Sequence, residues 1–231
     1  MRTTPADVLR SLAFYAAFYP GTVVFVLLTL FFTPISEKAM RWSVHGWSWY
    51  HRLCARWLLG IKVVIEGEMP NEGLLVAVKH ESFFEAIDLP NLMDWPVPFP
   101  KIELAEIPGW GRAARQYGIV AVEREQGAKA LRKMVADART FAAQNRPLVI
   151  FPEGTRVPSG EHGQLQSGFA GLYKLLRLPV VPVAVNSGRL YHRRWKKPGI
   201  ITVRVGQRIE PGLPRAEIEA RVEAAINALN D

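Results

Sequence analysis

A long run without charged residues, from residue 11 to residue 36, constrains the fold of this chain more than any other feature. A helix rises about 1.5 Å per residue, so a helix of this length exceeds the roughly 30 Å hydrocarbon core of a bilayer. The run is too long for the apolar part of a cleaved signal peptide, and no small-residue cleavage site follows it. Pro20-Gly21 interrupts it, because proline removes a helical hydrogen bond. Two arrangements remain open: one kinked helix that crosses the bilayer, or two half-length helices that enter and leave the same leaflet.

The stretch that follows, residues 38–62, interleaves aromatic and basic side chains. These residues are Trp42, Trp47, Trp49, Tyr50 and Trp57, with Lys38, Arg41, Arg52 and Arg56. Trp and Tyr prefer the headgroup layer, where arginines meet lipid phosphates, so the stretch is predicted to be an interfacial helix. An amphipathic core helix with a basic outer face is the alternative. We therefore predict an N-terminal membrane-anchoring helical segment, residues 1–60, and a second domain, residues 61–231.

The chain carries an excess of positive charge, with 29 Lys and Arg against 21 Asp and Glu and a net charge of +8. Such an excess favours an anionic partner, which is a nucleic acid, an acidic membrane surface or a phosphorylated substrate. The adjacent apolar run favours membrane lipids together with capture of a charged substrate. No nucleic-acid-binding module is recognisable, so nucleic acid is not expected as a partner.

The remainder of the chain is predicted to be an α/β domain. Short runs rich in Val, Ile and Leu indicate strands at 62–65, 74–79, 119–122, 148–151, 180–185 and 201–205. Helical spacing of apolar residues appears at 127–144, 169–177 and 215–229. This alternation predicts a mixed, mostly parallel sheet flanked by helices and preceded by the membrane-embedded segment. In such folds ligands bind at the carboxyl ends of strands.

A histidine follows the second predicted strand in "VAVKHESFFEAID", residues 76–88. A zinc-protease motif would need a second histidine at the position of Phe84, and the other histidines show no ligand spacing to His80, so no metal is expected. The alternative chemistry is a general base, whose tautomer a carboxylate would fix. Glu81 lies on the opposite side of an extended chain and Asp88 more than a turn away, whereas a tight turn can return Glu85 to the ring. A histidine satisfied by a backbone group remains the other interpretation.

Two further clusters contain residues suited to anion binding. In "FPEGTR", Glu153, Gly154 and Thr155 precede Arg156 at a predicted strand end, where a glycine lets backbone N–H groups approach a phosphate and an arginine supplies paired donors. Upstream, the segment 98–124 is bracketed by two cations, Lys101 and Arg124. An ordinary turn and solvated charges are the alternative interpretations of these two clusters.

Four blocks in this order resemble those of the glycerolipid acyltransferase family, and in particular the bacterial 1-acylglycerol-3-phosphate acyltransferases. The blocks are "HESFFE", "KIELAEIPGWG…GIVAVER", "FPEGTR" and "LPVVPVAVNSG". They stand for the family's H-x4-D block, its Lys- or Arg-bearing block, its E-G-T-R block and its proline-containing block. Glu85 stands where the family usually has aspartate. A glutamate reaches one methylene further and is still able to orient the imidazole.

The resemblance implies transfer of a fatty acyl group from a thioester to the sn-2 hydroxyl of 1-acylglycerol-3-phosphate, which gives phosphatidic acid. His80 would deprotonate the hydroxyl and Glu85 would orient His80. The acceptor would be bound by the remaining site residues, which are Lys101, Arg124, Glu153, Gly154, Thr155 and Arg156. No cofactor is implied, since acyl-CoA or acyl carrier protein enters as a co-substrate. The expected location is the bacterial inner membrane, with the active site facing the cytoplasm.

Two alternatives remain. An acyltransferase for another lysolipid, such as a lyso-ornithine lipid, would use the same base without needing both phosphate-binding cations. A non-catalytic peripheral protein that binds anionic lipids would explain the apolar run and the positive charge, but it would give His80, Glu85 and the "FPEGTR" block no role.

Overall fold

The computed structural model describes residues 2–122 and 127–230, without the side chains of residues 127, 128 and 130. A helical hairpin precedes an α/β sandwich. The helices are α1 (Pro5–Phe32), α2 (Glu37–Cys54), α3 (Phe83–Leu92), α4 (Ile102–Ala105), α5 (Trp110–Tyr117), α6 (Gly127–Ala143), α7 (Ser167–Leu176), α8 (Gly188–Tyr191) and α9 (Arg215–Ile226). The strands are β1 (Ile61–Glu66), β2 (Leu75–Val78), β3 (Val97–Pro98), β4 (Leu148–Ile150), β5 (Val180–Val185) and β6 (Gly199–Val205). A π-helical turn, Ala55–Leu59, extends α2 to the first strand.

The sheet has the strand order β1-β6-β5-β2-β4-β3. Neighbouring strands are parallel, except that β5 and β6 run antiparallel. Each sheet face carries its own apolar cluster, because successive side chains of a strand point to opposite faces. On β2, Val76 and Val78 join the cluster on the side of α1 and α3, whereas Leu75 and Ala77 join the one on the side of α6, α7 and α9. The predicted class, a mixed and mostly parallel sheet flanked by helices, is confirmed.

The sheet edge next to β4 differs from the prediction. Residues 119–122 do not form a strand of the sheet; they run beside residues 98–101, joined by a bridge between Lys101 and Val122. The amide of Val120 donates to Pro98 O at 3.1 Å and the amide of Val122 to Pro100 O at 2.8 Å. Ile102 donates back to Val122 O at 3.1 Å, but Pro100 has no N–H to donate to Val120 O, so the bridge stays isolated and no regular ladder forms. The edge strand is instead β3, too short and proline-rich to be recognised in the sequence.

The start of α1 is attached to the α/β part of the molecule. Thr4 and Asp7 form a capping box around the proline that begins the helix, and Asp7 also forms an ion pair with Lys197. One turn later, Ser11 Oγ accepts a hydrogen bond from the Lys196 amide at 2.8 Å. The next buried residue, Phe14, belongs to the same apolar cluster as β2. The first half of α1 is therefore part of the domain packing.

The hairpin of α1 and α2 is held together by polar contacts within an apolar surface. Trp47 donates its indole N–H to Thr22 Oγ1 at 3.0 Å, and the hydroxyls of Thr29 and Ser43 lie 2.8 Å apart. The helix α1 continues through Pro20, so of the two arrangements left open by the sequence, the run forms one helix and not two half-length helices. In the described part of the chain, α1 is the helix whose length and composition would allow it to cross a membrane.

Substitution of Gly21 by valine is expected to separate the two helices. A Cβ at this position would lie 2.3 Å from Tyr50 Cε1, and Tyr50 is anchored there by donating its hydroxyl to Ala17 O at 2.9 Å. Overpacking of this kind costs about 1–3 kcal/mol. Thermal unfolding in detergent should show a lower midpoint for Gly21→Val and no change for Gly168→Val, where a Cβ would meet no atom within 4 Å. Equal midpoints would contradict the observed packing.

Candidate active site

One edge of the sheet gathers the residues that the sequence indicated. The strands β5, β2, β4 and β3 are parallel neighbours, so their carboxyl ends lie side by side. His80 follows β2, the 151–156 loop follows β4, and Lys101 follows β3. Ser187 follows β5 and is fully buried. Ligands of α/β proteins bind at this edge, and its residues therefore form the candidate active site.

His80 is held by a ring contact and by a carboxylate. Its imidazole stacks on Phe151, with ring centroids 4.2 Å apart. Its Nδ1 lies 3.0 Å from Glu85 Oε1. The side chain remains 16% exposed, whereas that of Glu85 is fully buried. With Nδ1 directed at a carboxylate, Nε2 is the ring nitrogen left to face a substrate, as a general base requires.

The start of α3 fixes the position of Glu85. Ser82 caps this helix, and Glu85 reaches back from the third helical position to complete a capping box. Its Oε1 accepts hydrogen bonds from the amides of Glu81 and Ser82, both at 2.6 Å. Its Oε2 accepts from the hydroxyls of Ser82 at 3.1 Å and Ser187 at 2.5 Å. Such a set of donors stabilises a carboxylate in a buried place.

Sequence reasoning missed two of these supports. The pattern Ser82-x-x-Glu85 is a capping-box signature, and it would have singled out Glu85 among the nearby acids. Ser187 lies in the fourth block but shows no local signal, because its partner is more than one hundred residues away. The fourth block thus contributes to the site through a hydroxyl group on the buried side of Glu85.

The other two carboxylates of the segment have different partners. Asp88 binds Arg52 of α2 through both oxygens and also accepts from Asn91 at 2.8 Å. Glu81 accepts a hydrogen bond from the Gly188 amide at 2.7 Å. Asp88 therefore connects α3 to the hairpin, and Glu81 connects the turn after His80 to the start of α8.

Glu153 of the "FPEGTR" block lies behind His80. Its Oε1 accepts a hydrogen bond from Lys79 Nζ at 2.6 Å, in an ion pair whose two side chains are both fully buried. Its Oε2 accepts from the His80 amide at 3.1 Å. Lys79 also donates to Glu161 O at 3.0 Å and to Asn227 Oδ1 at 2.7 Å. The carboxylate that the sequence assigned to the acceptor pocket thus contacts the backbone of the candidate base.

The rest of the loop is open to solvent. Gly154 has a φ of +66°, which favours glycine, and it turns the chain so that Thr155 and Arg156 are exposed. The Arg156 guanidinium lies 4.2 Å from the ring centroid of Phe83. Lys101 is exposed at the start of α4. Arg124 lies outside the described residues. Among residues 2–122 and 127–230, no group of three or more His, Cys, Asp or Glu side chains is arranged to hold a metal ion.

The buried Glu81 carboxyl is expected to make stability depend on pH. Burial raises the pKa of Glu81 from 4.5 to about 7. Between these values the folded chain holds a proton that the unfolded chain has released, so the free energy of unfolding falls as the pH rises from 4.5 to 7. Denaturant unfolding at several pH values should show a smaller fall for Glu81→Gln, whose carbonyl still accepts from Gly188. Identical pH dependences in the two proteins would contradict the raised pKa.

A histidine–carboxylate pair lies at the carboxyl edge of a mostly parallel sheet, beside an arginine on a glycine turn. This arrangement is suited to group transfer by general base catalysis. The model of the acyltransferase family matches residues 60–186, which include His80, Glu85 and the "FPEGTR" block. The chain belongs to the acyltransferase family. The resemblance predicted from the four blocks, and with it the prediction of an enzyme, is confirmed.

Two relatives match nearly the whole chain. The 1-acyl-sn-glycerol-3-phosphate acyltransferase of Pseudomonas aeruginosa is 29% identical over 95% of this chain and 89% of its own length. The 1-acyl-sn-glycerol-3-phosphate acyltransferase alpha of Mus musculus is 27% identical over 94% of this chain and 76% of its own length. Among solved structures, the 1-acyl-sn-glycerophosphate (LPA) acyltransferase of Thermotoga maritima superposes with a TM-score of 0.77 at 20% identity. It covers 96% of this chain and 95% of its own, and therefore shares the fold, hairpin included.

Proposed function

We propose that this chain transfers an acyl group from an acyl thioester to the sn-2 hydroxyl of 1-acylglycerol-3-phosphate, which gives phosphatidic acid for phospholipid biosynthesis. The observation that carries the proposal is the contact of His80 Nδ1 with Glu85 at the sheet edge that also presents the Arg156 loop. The names of the two relatives support the choice of acceptor.

In the proposed reaction, His80 Nε2 takes the proton of the acceptor hydroxyl while Glu85 stabilises the imidazolium. The acceptor oxygen forms a bond to the thioester carbonyl carbon, and the carbon–sulfur bond then breaks. The proton passes from His80 to the departing thiolate. No enzyme nucleophile is needed, because the acceptor's own hydroxyl attacks.

The acceptor phosphate is proposed to bind Arg156 and Lys101, with Arg124 as a third cation and with Gly154 and Thr155 shaping the pocket. Glu153 takes a different part in this proposal. Because it is paired with Lys79 and bonded to the His80 amide, it holds the base in place from behind. Phosphate binding next to the base would supply proximity, which lowers the barrier by several kcal/mol.

We further propose that residues 1–60 anchor the catalytic domain, residues 61–231, to a membrane. Both ends of the hairpin are attached to the domain, through the Asp7–Lys197 ion pair at one end and the Arg52–Asp88 pair at the other. The part of α1 beyond Phe18 spans about 21 Å, less than the hydrocarbon core. The hairpin would therefore enter and leave one leaflet. We expect the inner membrane of a bacterium, with the site on the cytoplasmic side where acyl-CoA and acyl carrier protein are found.

A matrix of donors and acceptors, assayed with purified protein in detergent, tests this proposal. The donors are acyl-CoA and acyl carrier protein thioesters, and the acceptors are lysophosphatidic acid, lysophosphatidylcholine and a lyso-ornithine lipid. We expect turnover with lysophosphatidic acid. Turnover with the lyso-ornithine lipid alone would move the activity to another lysolipid, and binding of anionic lipid without any turnover would favour the non-catalytic alternative.

The Arg156→Ala variant tests whether this arginine binds the phosphate of the acceptor or only contributes to the positive charge of the protein. We expect the KM for lysophosphatidic acid to rise about 10-fold or more, because charge-assisted hydrogen bonds to a phosphate are lost. Arg215→Ala is the matched control, since Arg215 is an exposed arginine whose partner Glu219 lies on the same helix. If the two variants had the same KM, Arg156 would have no part in binding the acceptor.

A further inference from the structure

The segment between Lys101 and α5 exposes three large apolar side chains that the proposed reaction does not use. Leu104 and Ile107 are each 46% exposed and Trp110 is 37% exposed. They are three residues apart, and we name them the apolar ridge. Large exposed apolar groups that lie close together mark contact surfaces in soluble and membrane-bound proteins.

The ridge is a fixed part of the fold. Its single helical turn, α4, buries Ala105 completely. The Gly111 amide donates to Ile107 O at 2.8 Å, and a Cβ at Gly111 would lie 2.0 Å from Ala105 O. Only glycine fits at that position, because the chain passes so close to itself. The three apolar side chains are therefore presented on a tightly packed turn.

The ridge continues the apolar surface of the hairpin. A Cβ at Gly109 would lie 3.4 Å from Leu30 Cδ2 of α1. Gln116 of α5 donates to Thr33 O, at the end of α1, at 2.6 Å. Next to this contact, Phe31 and Ile35 are 62% and 63% exposed. The exposed apolar side chains at the hairpin tip and those of the ridge thus lie on adjoining elements.

The charges around the ridge fit a lipid surface only in part. Arg112 and Arg115 are exposed on α5, and Lys101 is exposed at the base of the ridge, but Glu103 and Glu106 are exposed as well. The three cations exceed the two anions by one charge. Arginines beside a tryptophan are typical of the headgroup layer. Since the net charge is small, burial of apolar surface must provide most of the attraction.

We propose that the apolar ridge is a second membrane-contacting element, which inserts into the headgroup layer of the leaflet that holds the hairpin. This inference rests on the membrane attachment proposed above. Lys101 begins α4, so insertion of the ridge would hold the candidate acceptor site at the level of the headgroups. A lysolipid would then reach His80 by lateral movement within the leaflet.

The test is a depth measurement on the full chain in vesicles of phosphatidylethanolamine and phosphatidylglycerol. Single cysteines carrying an environment-sensitive fluorophore are placed at Ile107, at Trp49 of α2 as the hairpin reference, and at Leu175 of α7 as the matched control. Leu175 is 39% exposed and lies on the sheet side opposite to the hairpin. The buried native Cys54 is replaced by alanine in all three proteins.

We expect nitroxide-labelled lipids to quench the labels at 107 and 49 several-fold more strongly than the label at 175. Quenching at 49 alone would overturn the ridge proposal and leave the membrane anchor intact. Quenching at none of the three would show that the anchor itself is wrong. The label at position 107 could instead become shielded from water only as the protein concentration rises, without being quenched by lipid. In that case a second copy of the chain would cover the ridge, which would also overturn the proposal.

Activity supplies an independent readout. The variant Leu104→Ser/Ile107→Ser/Trp110→Ser is expected to lose about tenfold in rate on a long-chain acceptor embedded in vesicles, which corresponds to the loss of partial insertion. Its rate on a short-chain acceptor below the micelle concentration should match that of the wild-type protein. Equal losses on both acceptors would indicate damage to the catalytic site and would overturn the proposal.

Discussion

Replacement of His80 by alanine is expected to lower kcat for acyl transfer by about 10²–10⁴-fold, the usual contribution of a positioned general base. The ring is the group that stands at the carboxyl edge of the sheet with Nδ1 on Glu85 and one edge still accessible. The KM for lysophosphatidic acid should change little, because the phosphate is bound by other side chains. Initial rates at saturating thioester measure both constants.

His162→Ala is the matched control for this experiment, since His162 is 61% exposed and its nearest acid is Glu223. Its kcat should equal that of the wild-type protein. If the two histidine variants had the same kcat, His80 would have no part in the chemistry. Near-UV circular dichroism of both variants would exclude a loss of fold as the cause of any difference.

Substitutions of Glu85 and Asp88 test which carboxylate orients His80. Glu85→Gln should lose most of the activity, because a neutral amide does not stabilise an imidazolium, while its carbonyl oxygen remains an acceptor for the amides of the turn. Glu85→Asp should keep a substantial part, as the family usually has aspartate there. Asp88→Asn should weaken the attachment of the hairpin, since Asp88 binds Arg52, and should leave kcat nearly unchanged. An inactive Asp88→Asn with an active Glu85→Gln would reverse these assignments.

Replacement of Lys79 by methionine is expected to destabilise the fold by about 3–5 kcal/mol, the cost of breaking a buried ion pair from one side. The variant leaves Glu153 buried without its cation, and it also removes the donor to Asn227, the residue that directly follows α9. Denaturant unfolding of the purified protein measures the loss. Arg204→Met is the control, because its pair with Glu66 is half-exposed and such pairs contribute about 0–1 kcal/mol.

A second substitution distinguishes the ion pair from simple packing. Lys79→Met/Glu153→Gln removes both charges, and it should be more stable than Lys79→Met alone because no unpaired charge remains buried. Activity should follow the geometry of His80, whose amide bonds to Glu153. A double variant less stable than the single one would show that the carboxylate is stabilised without Lys79, against the assignment made from the contact.

Those parts of the candidate site whose residues lie close together in the sequence were predictable. His80 follows a buried run, and Glu85 was chosen over Glu81 and Asp88 by its distance along the chain alone. The contact of Nδ1 with Glu85 agrees with that choice, and its catalytic role stays a prediction until it is measured. Distance along the chain was enough for this choice because the capping box joins Glu85 to Ser82, only two residues after His80.

Contacts between residues far apart in the chain were not predictable. The assignment of Glu153 to the acceptor pocket stays a prediction, and nothing in the sequence near Lys79 or Ser187 indicated that Lys79 contacts Glu153 or that Ser187 contacts Glu85. These contacts join residues 74 and 102 positions apart. They arise because β5, β2 and β4 are neighbours in the sheet, and strand order is not encoded in any local pattern. The strand β3 was missed for another reason, since two residues that include a proline carry no periodicity.

Three features could be recognised without a structure: an apolar segment before the α/β part, the alternation of strands and helices, and four blocks with the features of an acyltransferase. Hydrophobic period and motif order are properties of neighbouring residues, so they can be read without a fold. Three other features appear only in the folded chain. The helix α1 is continuous and attached to the domain, and an apolar ridge lies beside the hairpin tip. Glu153, paired with Lys79, accepts a hydrogen bond from the His80 amide. Each depends on which surfaces the sheet brings together, because side chains far apart in the chain meet only after its strands have paired.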